Sequence, residues 1–275
     1  MILGVDHIAL SCSDLDAARA RLAGVGAPAS FVATDLPNPE AKAAVLRRFT
    51  ATHQIAYCRP ATGVAIELTQ HGPAEPDVGG PGTGPFQVLV SGPRGTWAAE
   101  PVVPSPAWIE AFRNFGNDQG GEPTRWHWSD LGAEVWYDPD GPQQFAVRAV
   151  IVPTADPAAS VRFWVEGLGA EVIAGAPDGL WTRVAFRRPV PAWSLDVLLV
   201  HSAEPAPPPL LDDPGFRCLA LLVNRLPADL ARAEAAGGRP ATAPFELSVN
   251  GRALGVALVR GPAGELVEFL EVRRN

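Results

Sequence analysis

At 275 residues, with 47% hydrophobic and 19% charged side chains, the chain is too apolar to be disordered and long enough to bury one large core or two small ones. Its formal net charge of −8 repels phosphate backbones and argues against a nucleic-acid partner. No apolar run reaches the roughly 18 residues of a membrane span. The start, Met1 to Ala9, carries Asp6 and no basic stretch, so neither a membrane nor a signal peptide is expected and the cytoplasm is the expected location.

In chain order, His7 to Ser11 reads as a strand, Asp14 as a helix N-cap, and the helix stops near Gly24 or Gly26. Gln54 to Arg59, a turn at Pro60 to Gly63, and Val64 to Gln70 form a hairpin. The segment from Asp35 to Thr52 between them is a loop long enough to fold back over the sheet. A Pro/Gly-rich stretch from Gly72 to Gly84 follows, then a degenerate unit: a strand at Phe86 to Val90, a helix at Pro106 to Phe115, and a hairpin of Arg125 to Ser129 with Ala133 to Tyr137. Strand, turn and helix return at Arg148 to Gly169, with Asp156 in the capping position. The hairpin of that unit is Trp181 to Arg187 with Leu195 to His201. The pattern returns once more at Cys218 to Gly238, closed by Leu254 to Arg260 and Glu265 to Val272. The fold class is therefore α+β, with four βαβββ units at 1–72, 84–140, 146–203 and 214–275. Units of about 65 residues are too small to be stable alone and must pair.

Cys12, Cys58 and Cys218 are far apart, form no CxxC, and read as small buried hydrophobes. Lys42 is the sole lysine; in its Ala-rich segment it makes a poor Schiff-base candidate. His53, His71 and His201 fall at strand ends and read as solvated. No Ser-His-Asp ordering, P-loop or dinucleotide-binding glycine motif is present.

Val5-Asp6-His7-Ile8-Ala9-Leu10 with Asp14-Leu15-Asp16, Gly63 to Leu68 with Glu67, and Gly261-Pro-Ala-Gly264 leading to Glu268-Phe269 together resemble the vicinal oxygen chelate superfamily. That superfamily comprises glyoxalase I, extradiol dioxygenases and the fosfomycin- and bleomycin-resistance proteins. The resemblance covers most of the chain and is weakest at 84–140. It implies that units pair into two curled half-barrel modules. It also implies that metal ligands, His or Gln on the first strand of a unit and Glu on the last, face one cup. Such a set leaves positions open on a divalent metal for two vicinal substrate oxygens.

By that resemblance unit one supplies His7 and Glu67 as metal ligands, and Gln87 is the matching position of unit two. His7 also reads as a strand histidine bonded to Asp6. In unit two the last-strand match falls at Glu134 or Trp136, which share a face, and His127 lies across the hairpin from Glu134. In units three and four the positions are Ala149, Leu198, Cys218 and Glu268, of which only Glu268 is a family ligand type. This argues against the C-terminal iron site of the four-unit extradiol enzymes.

The expected division is therefore residues 1–145 and 146–275, each a glyoxalase-like module. Pairing of units one and four, which gathers His7, Glu67, Cys218 and Glu268, is the alternative. The expected function is a metal-dependent lyase or isomerase acting on a small oxygenated, aromatic or hydrophobic molecule. Here His127 or Glu134 would move the proton, and Trp126, Trp128 and Trp136 would form an aromatic wall. Ring-cleaving oxygenation is a runner-up. A metal-free sequestration protein of the bleomycin-resistance type is the alternative from another class. The cofactor is a divalent metal under the enzymatic readings, with Fe, Mn, Ni and Zn not distinguished by the donors, and none under the binder reading. The expected partner is a small-molecule ligand, and the protein a monomer or homodimer.

Overall fold

Strand side chains alternate between two faces, and in this chain each face has its own use. The computed structural model describes residues 1–72, 86–92, 111–112, 124–128, 131, 133–138, 141–203 and 207–273; of 124–128, Glu134 and Pro191 only the backbone is described. Unit one contains β1 (Ile2–Ser11), the helix Leu15–Gly24, β2 (Ala29–Pro37), a 3₁₀ helix Glu40–Val45, β3 (Thr52–Cys58) and β4 (Ala65–Gln70). Unit two contributes β5 (Gln87–Ser91), β6 (Thr124–Trp128) and β7 (Ala133–Tyr137). Unit three has β8 (Ala146–Thr154), the helix Pro157–Arg162 running into a π-helical turn Phe163–Gly167, β9 (Glu171–Gly175), β10 (Trp181–Phe186) and β11 (Leu195–His201). Unit four has β12 (Gly215–Val223), the helix Leu226–Ala235, β13 (Arg239–Pro240), β14 (Phe245–Val249), β15 (Arg252–Arg260) and β16 (Leu266–Val272).

The two earlier helices start where their aspartates satisfy free N–H groups. Asp14 accepts from the Ala17 N–H and Asp156 from the Ala159 N–H, each at 2.9 Å. The helix of unit four has no side-chain cap and begins with Pro227 in its first turn.

The sheets correct the expected pairing. Among the described residues, one sheet of nine strands runs β13-β15-β16-β12-β1-β4-β3-β2, with β14 beside β15. The other runs β6-β7-β5-β8-β11-β10-β9. Units one and four therefore share a sheet, units two and three share the other, and a boundary at 145 does not separate the sheets. The join is β1 against β12, antiparallel, with Ile8 opposite Leu219. Around that pair the register is symmetric: His7 faces Ala220 and Ala9 faces Cys218. The parallel neighbours obey the same symmetry, with Glu67 beside Ala9 and Glu268 beside Ala220.

One face of both sheets feeds a shared core. Ile8, Leu10, Ile66, Leu68, Leu219 and Phe269 of the nine-stranded sheet belong to it, as do Val88, Val150, Val152, Val197 and Leu199 of the seven-stranded one. Each such fully buried side chain contributes about 1.5–3 kcal/mol. Between the sheets the helices meet closely. A Cβ on Gly167 would lie 3.0 Å from the Ala236 Cβ, so glycine sets that approach. Trp164, fully buried, donates its indole N–H to Glu265 Oε1 at 3.0 Å, tying unit three to unit four.

Candidate functional site

The other face of the nine-stranded sheet carries the polar cluster. Period two puts His7 and Ala9 of β1, Glu67 and Thr69 of β4, Cys218 and Ala220 of β12, and Glu268 of β16 on it. The symmetry about Ile8 and Leu219 makes His7 equivalent to Cys218 and Glu67 equivalent to Glu268. The structure thus brings together the four residues of the alternative pairing.

His7 is 3% exposed. Its Nδ1 is 2.8 Å from Asp6 Oδ2, and its Nε2 lies 3.6 Å from Glu67 Oε1 and 3.8 Å from Glu268 Oε2. Nε2 is buried and makes no hydrogen bond. Neighbouring strand residues ordinarily point to opposite faces; here the register of β1 against β12 shifts between Val5 and His7, and this bulge lets Asp6 reach the ring beside it. Tyr57 donates its hydroxyl to the Asp6 carbonyl at 3.0 Å and sets its ring edge-on to His7. The carboxylate on Nδ1 thus aims Nε2 between the two glutamates.

The electrostatics follow from this packing. Burial pulls the His7 pKa down, but the Glu67 charge, the Asp6 hydrogen bond and charge, and the Glu268 charge outweigh it and push it up to about 9. Burial opposes charge on Asp6 as well, yet its bonds to His7 and Tyr57 leave it below the usual range. Burial raises Glu268, against the pull of Lys42 and His7. Burial and the charge of Glu268 hold the Cys218 thiol well above its ordinary value.

Among the described residues no three His, Cys, Asp or Glu side chains stand in the closed arrangement of a bound metal. The gaps from Nε2 to the carboxylates exceed the about 3–3.4 Å expected between ligands on bonds of about 2.1 Å. Half an ångström of side-chain movement would close them. One imidazole nitrogen with no other partner and two carboxylates, 19% and 13% exposed, form a donor set that fits a divalent cation.

The seven-stranded sheet places Gln87, Trp136, Ala149 and Leu198 at the positions equivalent to His7, Glu67, Cys218 and Glu268. Gln87 therefore does not share a cup with His7. Its Oε1 accepts from the Trp136 indole N–H at 2.6 Å, and Trp136, Phe112, Ala149, Ile151 and Leu198 fill that face as an apolar cluster. Trp136 is thus packed in a core. The strands of Trp126, His127, Trp128 and Glu134 lie at the far edge of this sheet, with His127 opposite Glu134; their side chains lie outside the described residues.

The segment after β2 folds over the site face. Val45 and Leu46 pack with Leu211, Cys218 and Ala220, and the 3₁₀ helix Glu40–Val45 carries Lys42 into the same space. Lys42 is 6% exposed and is a site residue that periodicity did not reveal. His53 and His71, read above as solvated strand ends, are in fact 4% and 8% exposed and stack at 5.4 Å. Burial lowers both, His53 to about 3. His201 is exposed, as expected.

Residues 146–269 match the family model of the Glyoxalase/Bleomycin resistance protein/Dioxygenase superfamily. Over that span the chain is similar to the superfamily. No curated protein matches the chain by sequence. Solved structures extend the likeness of fold to the whole length. Glyoxalase I from Zea mays is 15% identical with a TM-score of 0.59, over 98% of this chain and 92% of that one. Its E144Q mutant is 16% identical with a TM-score of 0.58, over 98% and 93%. A putative dioxygenase from Bacillus subtilis is 13% identical with a TM-score of 0.52, over 100% and 86%. The superfamily match covers units three and four, so it contains Cys218 and Glu268, while His7 and Glu67 come from the unit that completes their sheet.

Proposed function

We propose that the protein is a metal-dependent enzyme of the lyase or isomerase type, acting on a small oxygenated molecule at His7, Glu67 and Glu268. The observation that carries this reading is the orphaned His7 Nε2, fixed from behind by Asp6 and faced by two carboxylates. His7, Glu67 and Glu268 would hold a divalent cation, which supplies Lewis-acid polarisation of two vicinal oxygens. The chain's own contributions are distinct. Asp6 fixes the ring orientation of His7. The carboxylate oxygen of Glu67 or Glu268 left free by the cation would serve as the base toward a proton on the carbon beside those oxygens. The apolar lining from Val45, Leu46 and Leu258 thins the water around them. Cys218 replaces the second histidine as a small neutral thiol.

The test is metal content of protein purified without chelators. About one divalent cation per chain is expected, falling below about 0.2 in His7→Ala and in Glu268→Gln. A metal-free sequestration protein is the second reading, favoured by the open spacing of the three side chains and the apolar lining. Absence of stoichiometric metal from the wild type, after addition of Ni, Zn, Mn or Fe(II), would decide for it.

A further inference from the structure

Lys42 is the chain's sole lysine and is nearly fully buried. Its ammonium sits 5.9 Å from the Phe245 ring centre, on the site face of the nine-stranded sheet. Its charge is felt at Glu268 and Cys218 on the sheet floor and at His53 and His71 beside it. Among the described residues it forms no hydrogen bond and no carboxylate approaches within ion-pair distance. The Nδ1 atoms of His53 and His71 have no hydrogen-bond partner, so neither accepts from the ammonium. Most of the side chain is buried, but Nζ itself keeps contact with solvent, so the ammonium is open to a ligand.

The strap that carries Lys42 is built to hold it there. Asn38 Nδ2 donates to the Thr50 carbonyl at 3.0 Å, closing the base of the loop. Asp212 accepts from the backbone N–H groups of Arg47 and Arg48 at 2.7 and 2.9 Å, and the Leu211 N–H reaches the Val45 carbonyl at 2.8 Å. These contacts hold the strap, and with it Lys42, against the site face, where Val45 and Leu46 pack on Cys218 and Ala220.

We propose that Lys42 is the anion-recognition residue of this site, and that the ligand is a small carboxylic acid with a second oxygen on the adjacent carbon. A 2-oxo or 2-hydroxy acid has this chemistry. Its carboxylate pairs with the ammonium, its vicinal oxygen turns toward His7, Glu67 and Glu268, and its apolar remainder lies on Val45, Leu46 and Leu258. This rests on the proposed function for the second oxygen only; the pairing with Lys42 needs no metal. A compact ammonium suits a carboxylate approached from varied directions, where a guanidinium would demand a bidentate fork.

The probe is oxalate, which carries vicinal oxygens and negative charge, titrated by calorimetry into the metal-free and the Ni(II)-supplemented protein. Oxamide, isosteric and neutral, is the control. We expect oxalate to bind the wild type at least tenfold more tightly than oxamide. Lys42→Met should lose at least tenfold in oxalate affinity and none for oxamide, with an unchanged metal stoichiometry. Lys42→Arg should recover part of the loss. Because no other ε-amine exists, oxalate should also slow modification of Lys42 by trinitrobenzenesulfonate, read by peptide mass. Oxalate binding within twofold of wild type in a folded Lys42→Met would overturn the proposal. So would borohydride trapping of pyruvate on Lys42, which would make the lysine a covalent participant. Failure to bind metal with Lys42-dependent oxalate binding intact would sink the proposed function and leave this inference standing.

Discussion

Glu265 shows how a single carboxyl can set the pH response of this fold. It is fully buried, one oxygen accepts from Trp164, and the other has no partner. Burial pushes its pKa up to about 7, with the Trp164 bond and backbone N–H groups opposing. The folded state thus holds a proton that the unfolded chain, titrating near 4.5, has released. The associated stability is fully present below pH 4.5 and is lost as pH rises to about 7. Glu265→Gln keeps the acceptor and removes the charge. Its thermal stability should exceed that of wild type by about 1–3 kcal/mol at pH 8, and the gain should vanish by about pH 4.5. A gain independent of pH would refute the assignment. At this scale the sequence was informative where chemistry sits on strands: His7, Glu67, Cys218 and Glu268 all occupy the expected strand positions. It named Lys42 but gave it no place in the site, because an Ala-rich loop has no period from which to read a face.

Among elements, the strap of Glu40–Val45 has the most to say. Its hold on the segment before β12 is mainly Asp212, which satisfies two backbone donors, and Asp213, which pairs with the Arg47 guanidinium at 2.6 Å. Asp212→Ala should leave the melting temperature nearly unchanged while speeding hydrogen exchange at Arg47 and Arg48 about tenfold, the loss of about one well-made charge-assisted hydrogen bond. Unaltered exchange would show that Val45 and Leu46 alone anchor the strap. Helix starts at Asp14 and Asp156 and the hairpins around Pro60 and Gly261 could be read locally, since caps and turns are written within a few residues. The latch could not, because Asp212 lies far along the chain from the N–H groups it accepts.

For the molecule as a whole, the pairing of units was the part the sequence withheld. Ile8 finds Leu219 opposite it, yet Val88 is an apolar strand residue of the same type, and alternation cannot choose between them. The register symmetry deepens the ambiguity, since every unit offers a first strand with the same pattern. Because units one and four share a sheet, residues 146–275 alone lack half of each sheet. That fragment, which spans the superfamily match, should show no cooperative unfolding transition as a monomer, whereas mixing it with 1–145 should restore one, followed by circular dichroism. Independent folding of the monomeric fragment would contradict the topology.

The chain's order of pairing is nested, like brackets: the second unit closes with the third, and only the last can close with the first. On the ribosome the inner sheet can complete once β11 has emerged, while β1 must wait for β12 and β16. Through that interval the edge of β1 is unpaired along Ile8 and Leu10, and His7 has one of its two glutamates. The polar site is therefore among the last features to exist, assembled from the first and the fourth unit. Pulse-labelled exchange during refolding should protect β5 and β8 before β1 and β12.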